Sequence, residues 1–126
     1  MKKQIKTDRA PQAIGPYSQA IEVNGMIFTS GIVPLDPATG AVIEGDIKAQ
    51  ATRVFESMKG LLEDAGSSCE DVIKTTVFIK DMNDFAAINE IYAQYFTGVF
   101  PARSCVEVAR LPKDVLIEME AIALKK

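Results

Sequence analysis

Arg103, Cys105 and Glu107 recur at every second position of a β-forming run, Pro101-Ala102-Arg103-Ser104-Cys105-Val106-Glu107-Val108, and a second such run closes on Ile117-Glu118-Met119-Glu120. Period-two alternation puts Arg103, Cys105 and Glu107 on one face of their strand. Drawing a guanidinium or carboxylate out of water costs several kcal/mol, and strand formation alone does not ask for it. The chemistry such groups offer is specific. An arginine presents a planar fork that binds a carboxylate through two bonds, each charge-assisted hydrogen bond contributing about 1.5 to 3 kcal/mol where water is thin. A carboxylate beside it, Glu118, then orients or deprotonates a water, which is hydrolysis without histidine or metal. That last point matters because the chain contains no histidine. Its absence removes the commonest general base, the Ser/His/Asp and Cys/His arrangements and most zinc sites together.

Each of these residues also has a plainer reading. Arg103 and Glu118 are equally consistent with a structural ion pair at an interface. Cys105 fits a small buried hydrophobe better than a nucleophile, since no histidine activates it. Tyr17, after the turn formers Gly15-Pro16, suits packing as well as it suits donation from a phenol. Asn89 can be an exposed helix residue, Ser30-Gly31 a bend at a strand end, and Glu107 and Glu120 solvated or interface-paired groups. Spacing alone does not break these ties.

The elements that position them follow from periodicity. Gln19 to Val23 and Met26 to Ser30 are β-rich runs joined by Asn24-Gly25, a strong hairpin signal. Pro34 to Gly40 is an ordered loop by its prolines and glycine. From Asp46 the period becomes helical: Ile47, Ala51, Val54, Phe55, Met58, Leu61, Leu62 and Ala65 share a face, and Gly66 is placed as a stop. Val72 to Lys80 reads as a strand. Asn83-Asp84 then caps a second helix whose Phe85, Ile88, Tyr92, Tyr95 and Phe96 form a stripe, with Asn89 beside it, one turn from Phe85. Arg103 to Ala109 and Val115 to Leu124 are the last strands, and Lys3 to Lys6 is a candidate first one. The short connection Arg110 to Asp114 predicts that the last two strands are antiparallel neighbours, so that Arg103 and Glu118 meet in one cleft.

The predicted architecture is α+β, a mixed sheet with both helices on one face and the other face bare. In Val115 to Leu124 the odd positions are apolar throughout, whereas the even ones mix Leu116, Ile122 and Leu124 with Glu118 and Glu120. A face of that composition suits packing against other copies, with the polar members gathered where a cleft opens between subunits.

Composition sets the outer bounds. At 126 residues the chain is one expected domain, residues 1–126, able to bury roughly two-thirds of its unfolded surface. Its 48% hydrophobic content is high, and no run reaches the length of a membrane span, so the surplus is expected to cover a subunit interface. The basic start, Met1 to Lys6, is followed by Thr7-Asp8-Arg9 rather than an apolar stretch, which predicts no secretory signal and a cytoplasmic protein. Cys69 and Cys105 have neither metal-type nor redox-pair spacing, and free thiols are expected. A net charge of −3 with scattered lysines and arginines is a poor match for nucleic acid, so neither a nucleic-acid partner nor a membrane is expected.

Several segments carry a resemblance. Ile14-Gly15-Pro16-Tyr17-Ser18-Gln19-Ala20, Phe28-Thr29-Ser30-Gly31, Lys74-Thr75-Thr76-Val77-Phe78, and Pro101 to Val108 through Ile117-Glu118-Met119-Glu120-Ala121 resemble the RidA/YjgF family of reactive-intermediate deaminases. The match runs in order over nearly the whole chain, and Pro-Ala-Arg-Ser followed downstream by Ile-Glu-Met is its most specific part. The connection Thr97-Gly98-Val99-Phe100 looks shorter than in some relatives.

The resemblance implies a chorismate-mutase-like subunit and a homotrimer around a barrel of packed sheets, with a cleft at each subunit interface. It also implies hydrolysis of 2-imino acids, 2-iminobutanoate and 2-iminopropanoate among them, or of their enamines, to 2-oxo acids and ammonia, with no cofactor. Such an activity removes reactive species before they damage pyridoxal-phosphate enzymes. By motif match Arg103 corresponds to the carboxylate-binding arginine and Glu118 to the glutamate near the attacking water; Tyr17, Ser30, Gly31, Asn89 and Cys105 match cleft-lining positions. Two other readings stand beside this one: a non-catalytic sensor of small carboxylates such as 2-oxo acids, and a ribonuclease or translation inhibitor, an activity ascribed to some relatives.

Overall fold

The alternating and helical patterns become six strands and two long helices in the computed structural model, which describes residues 1–126. In chain order these are β1 (Lys3–Ile5), β2 (Ala20–Val23), β3 (Met26–Thr29), α1 (Ile47–Asp64), β4 (Val72–Ile79), α2 (Phe85–Tyr95), β5 (Ala102–Glu107) and β6 (Ile117–Leu124). Asn24 and Gly25 both take left-handed backbone, φ 51° and 75°, the two-residue turn whose twist matches the strands it joins. It fixes the register Val23 opposite Met26 and Ala20 opposite Thr29.

Helix α1 starts where the Asp46 carboxylate accepts from the Ala49 N–H at 3.1 Å. It stops at Gly66, which at φ +84° lets its own N–H reach the Glu63 carbonyl and the Ser67 N–H reach that of Leu62. The start of α2 differs from the expected Asn83-Asp84 cap. A 3-10 turn over Met82–Asp84 precedes the helix, the Asp81 carboxylate accepts from the Asn83 N–H, and Asp84 makes no side-chain cap. Asp84 is already in helical conformation (φ −84°, ψ −1°). The extended backbone that aims a capping side chain at the first turn is found at Asp81 instead.

The strands form one sheet in the order β1-β2-β3-β6-β4-β5. This corrects the expected pairing of the last two strands. β4 lies between them, parallel to β5 and antiparallel to β6, and β5 is an edge strand. The short connection does not make a hairpin because Pro112–Asp114 is a 3-10 turn with Lys113 and Asp114 at φ 55° and 56°; it carries the chain past β4 and delays β6 to Ile117. The parallel β4–β5 pair needs a crossover, which α2 supplies.

Both helices pack on one face. From α1, Val54, Phe55, Met58, Leu61 and Leu62 are buried; from α2, Ile88 and Tyr92; from the sheet, Ile27, Val77, Ile79, Ile117, Met119, Ala121 and Ala123. Each large apolar side chain so buried contributes about 1.5 to 3 kcal/mol. The odd positions of β6 therefore point at the helices, as their uniform apolar character requires. The even positions point the other way, onto a face no element of the chain covers, where Phe28, Val106 and Leu124 remain exposed. No helix is long and apolar enough to cross a membrane.

Candidate active site

Directly opposed residues in neighbouring strands share a face. Arg103 is opposite Thr75, and Thr75 is opposite Ala121, so Arg103 rises on the helix side of the sheet. Above it α2 presents Phe85, Asn89 and Tyr92, spaced to share one stripe. The Arg103 Nη1 donates to Asn89 Oδ1 at 2.7 Å, and the guanidinium carbon lies 5.3 Å from the Phe85 ring centre and 4.7 Å from that of Tyr92. It joins none of the ion pairs of the chain. A cleft of about 420 Å3 opens beside it, lined by Asn89, Tyr92, Ala93, Phe100, Pro101 and Arg103.

Cys105, opposite Val77, lies on the same side and packs half-buried against the core. Burial pushes its thiol up, and the charge of Arg103 only partly offsets this, which makes it a poor nucleophile. Glu107 is neither simply solvated nor paired across an interface here: its Oε1 accepts from the Met82 N–H at 2.8 Å and ties the edge strand to the turn ahead of α2.

Glu118 is opposite Phe78, on the uncovered face. Arg103 and Glu118 therefore do not meet within one chain, nor form an ion pair in it. They project from opposite sides of the sheet with β4 between their strands, and the expectation of a shared intrachain cleft fails because it rested on a hairpin that the chain does not make. Glu118 belongs to a second cluster with Ser30 and Gly31. A Cβ on Gly31 would lie 2.1 Å from Glu118 Oε2, so the carboxylate rests against bare backbone. The Ser30 hydroxyl donates to the Ser18 carbonyl at 2.6 Å and the Ser30 N–H to the Gln19 carbonyl, which holds the Tyr17 segment against the end of β3. Gln19, unassigned by sequence reasoning although it lies in the matched segment, is the buried anchor: Nε2 donates to the Thr7 and Pro11 carbonyls and Oε1 accepts from the Thr7 N–H. Tyr17 itself is half-exposed. Tyr17, Ser30, Gly31 and Ile14 line a cavity of about 310 Å3 with Leu35 and Lys113 among its other walls.

Burial raises the pKa of the Glu118 carboxyl above the ordinary carboxylate range, and the like charge of Glu120 raises it further. A carboxylate so placed holds a proton more tightly than an exposed one. No group of three or more His, Cys, Asp or Glu is placed to hold a metal ion.

The fold thus brings the predicted residues together as two groups. Arg103, Asn89 and Cys105 form one; in the other, Glu118 rests against Gly31, which with Ser30 and Tyr17 lines a cavity that Glu118 itself does not line. Phe85 and Tyr92 were visible in the sequence only as part of an apolar stripe. Their i, i+7 spacing around Asn89 was the available signal.

Comparison with known proteins places this arrangement among relatives. The family model described as Endoribonuclease L-PSP matches residues 7–125. A RutC family protein of Pyrococcus abyssi is 58% identical over 125 residues, covering 99% of this chain and 98% of its own. A 2-iminobutanoate/2-iminopropanoate deaminase of Salmonella typhimurium is 55% identical over 129 aligned residues and the full length of both chains. The crystal structure of Escherichia coli TdcF with bound serine superposes with a TM-score of 0.92 at 51% identity, covering 98% of this chain and 99% of that one.

Proposed function

Since the chain belongs to the RidA/YjgF family, whose model carries the description Endoribonuclease L-PSP, we propose that it hydrolyses 2-imino acids to 2-oxo acids and ammonia, at a site that two copies complete. One observation carries this reading: the Arg103 guanidinium is backed by two rings and held at one nitrogen by Asn89, with no carboxylate of its own chain to neutralise it. A fork left free in that way suits a carboxylate ligand. The bound serine of TdcF is such a ligand in a relative.

The second copy supplies the rest. Its Glu118 group reaches the cleft because the uncovered sheet faces pack together, which also explains the exposed Phe28, Val106 and Leu124. Three copies around a barrel-like centre is the assembly that the family resemblance implies.

With the carboxylate of the 2-imino acid on Arg103, C2 of the C=N bond faces the Glu118 carboxylate. Glu118 takes a proton from water as the water oxygen bonds to C2, and gives it to the nitrogen. Glu118 then takes the hydroxyl proton of the resulting carbinolamine and delivers it to the amine, and as the C=O bond forms the C–N bond breaks, releasing ammonia and leaving the 2-oxo acid. Positioning supplies much of the rate, since the uncatalysed hydrolysis is already easy. The ribonuclease reading is disfavoured by a net charge of −3 and the lack of histidine.

The test generates 2-iminobutanoate in situ with a threonine dehydratase and follows semicarbazone trapping. Less trapped imine at equal dehydratase flux supports the deaminase. Saturable 2-oxobutanoate binding with unchanged trapping identifies a carboxylate sensor instead.

A further inference from the structure

Arg103 stands on an edge strand, half-exposed, on a long side chain with many rotamers, yet a two-pronged carboxylate clamp works only if the guanidinium plane is fixed before the ligand arrives. Asn89 fixes one nitrogen at 2.7 Å. A single hydrogen bond leaves the plane free to swing about that contact.

We propose that Phe85 and Tyr92 are positioning residues for this clamp, their rings holding the guanidinium plane so that one edge stays with Asn89 and the other is presented to the ligand carboxylate. The proposal deepens the reading above and depends on it only for the carboxylate ligand. The two rings lie at 5.3 and 4.7 Å from the guanidinium carbon, within cation–π range. The Tyr92 ring is itself immobilised from the core. Phe55 meets it edge-on at 5.7 Å, Phe96 packs at 4.4 Å, and its hydroxyl shares a buried 2.8 Å hydrogen bond with the fully buried Thr75 Oγ1. Thr75 is also the residue directly opposite Arg103 in the sheet. The orientation of the arginine is therefore referred to the core through a ring that cannot turn. Phe85, half-buried one helical turn before Asn89, closes the assembly from the other end of the stripe.

The clamp holds a carboxylate that does not change in the reaction, so loosening it weakens substrate and transition state alike. Phe85→Leu is expected to raise KM for 2-iminobutanoate about tenfold with kcat within about twofold. The Kd for 2-oxobutanoate, measured by calorimetry, should rise by the same factor. Phe85→Tyr, which restores a ring, should return both to near the parent values. Tyr92→Leu is expected to do the same as Phe85→Leu, and Tyr92→Phe separates the ring from the hydroxyl by keeping KM near the parent value. Because Tyr92 is a core residue, Phe85→Leu decides the matter if Tyr92→Leu fails to fold.

The binding arm does not need turnover. A parent that binds 2-oxobutanoate without hydrolysing imine refutes the deaminase reading and leaves the clamp to be judged on Kd alone. Folded Phe85→Leu with unchanged Kd, a fall in kcat at constant Kd, or a parent that binds no 2-oxobutanoate overturns the proposal.

Discussion

Gly31 and Glu118 are in such close register that a single carbon added to the glycine would sit 2.1 Å from the carboxylate oxygen and 2.8 Å from the carboxyl carbon. The site depends on that missing side chain. Gly31→Ala forces Glu118 aside by more than an ångström, and displacement of that order at a reacting group costs about a hundredfold in rate. The expected outcome is a folded protein with kcat for 2-iminobutanoate down by about that factor. Activity within twofold of the parent would show that Glu118 is not the group that handles water.

The Glu118 carboxyl has a predicted pH signature. As a base it must be ionised, so activity should fall as pH drops through its pKa. That pKa lies above the usual carboxylate range, through burial first and the charge of Glu120 second. Glu120→Gln removes the negative neighbour, so Glu118 gives up its proton more readily and its pKa falls. The acid limb of kcat/KM should then move to lower pH while the plateau is kept. An unmoved or upward-moved limb contradicts the assignment.

Arg103 and Cys105 separate charge from geometry. Lysine keeps the charge of Arg103 but not the fork, and losing one charge-assisted hydrogen bond of about 1.5 to 3 kcal/mol predicts a loss of roughly tenfold to a hundredfold for Arg103→Lys. Parent-like hydrolysis by the lysine variant would refute the clamp. Cys105→Ser, in contrast, should stay within a few fold of the parent, because the thiol is raised by burial and no base faces it. A covalent adduct trapped on Cys105 during turnover, with the serine variant inactive, would reverse this.

Local signals carried most of the fold. Asn24-Gly25, Asp46, Gly66 and the helical run from Ile47 to Ala65 each specify their own geometry within a few residues, and the structure places the corresponding elements there. Strand order did not follow, because insertion of β6 between β3 and β4 is decided by contacts far apart in the chain, such as Phe28 with Ile122 and Phe78 with Glu118. Connection length alone pointed to a hairpin. The cost fell on the site: Glu118 lies on the uncovered face, as the even positions of β6 indicated, whereas Arg103, expected to meet it there, rises on the helix side with Asn89 and Cys105. The uncovered face was legible in the mixed even positions of β6, since neither core nor solvent explains Leu124 beside Glu120.

The opposite projection of Arg103 and Glu118 gives the sharpest test of assembly. If each cleft takes its arginine from one copy and its glutamate from another, Arg103→Ala and Glu118→Ala should each be inactive alone and active when co-expressed. With random mixing at equal amounts, about a quarter of the clefts pair an intact arginine with an intact glutamate, so activity should recover to about a quarter of the parent value. Leu124→Asp, which charges the uncovered face, should abolish that recovery and shift light scattering from a multiple of the 13.7 kDa chain mass, expected to be three, towards a single chain. Absence of recovery in a mixture shown by mass to contain both variants in one particle would mean that Arg103 and Glu118 never share a cleft.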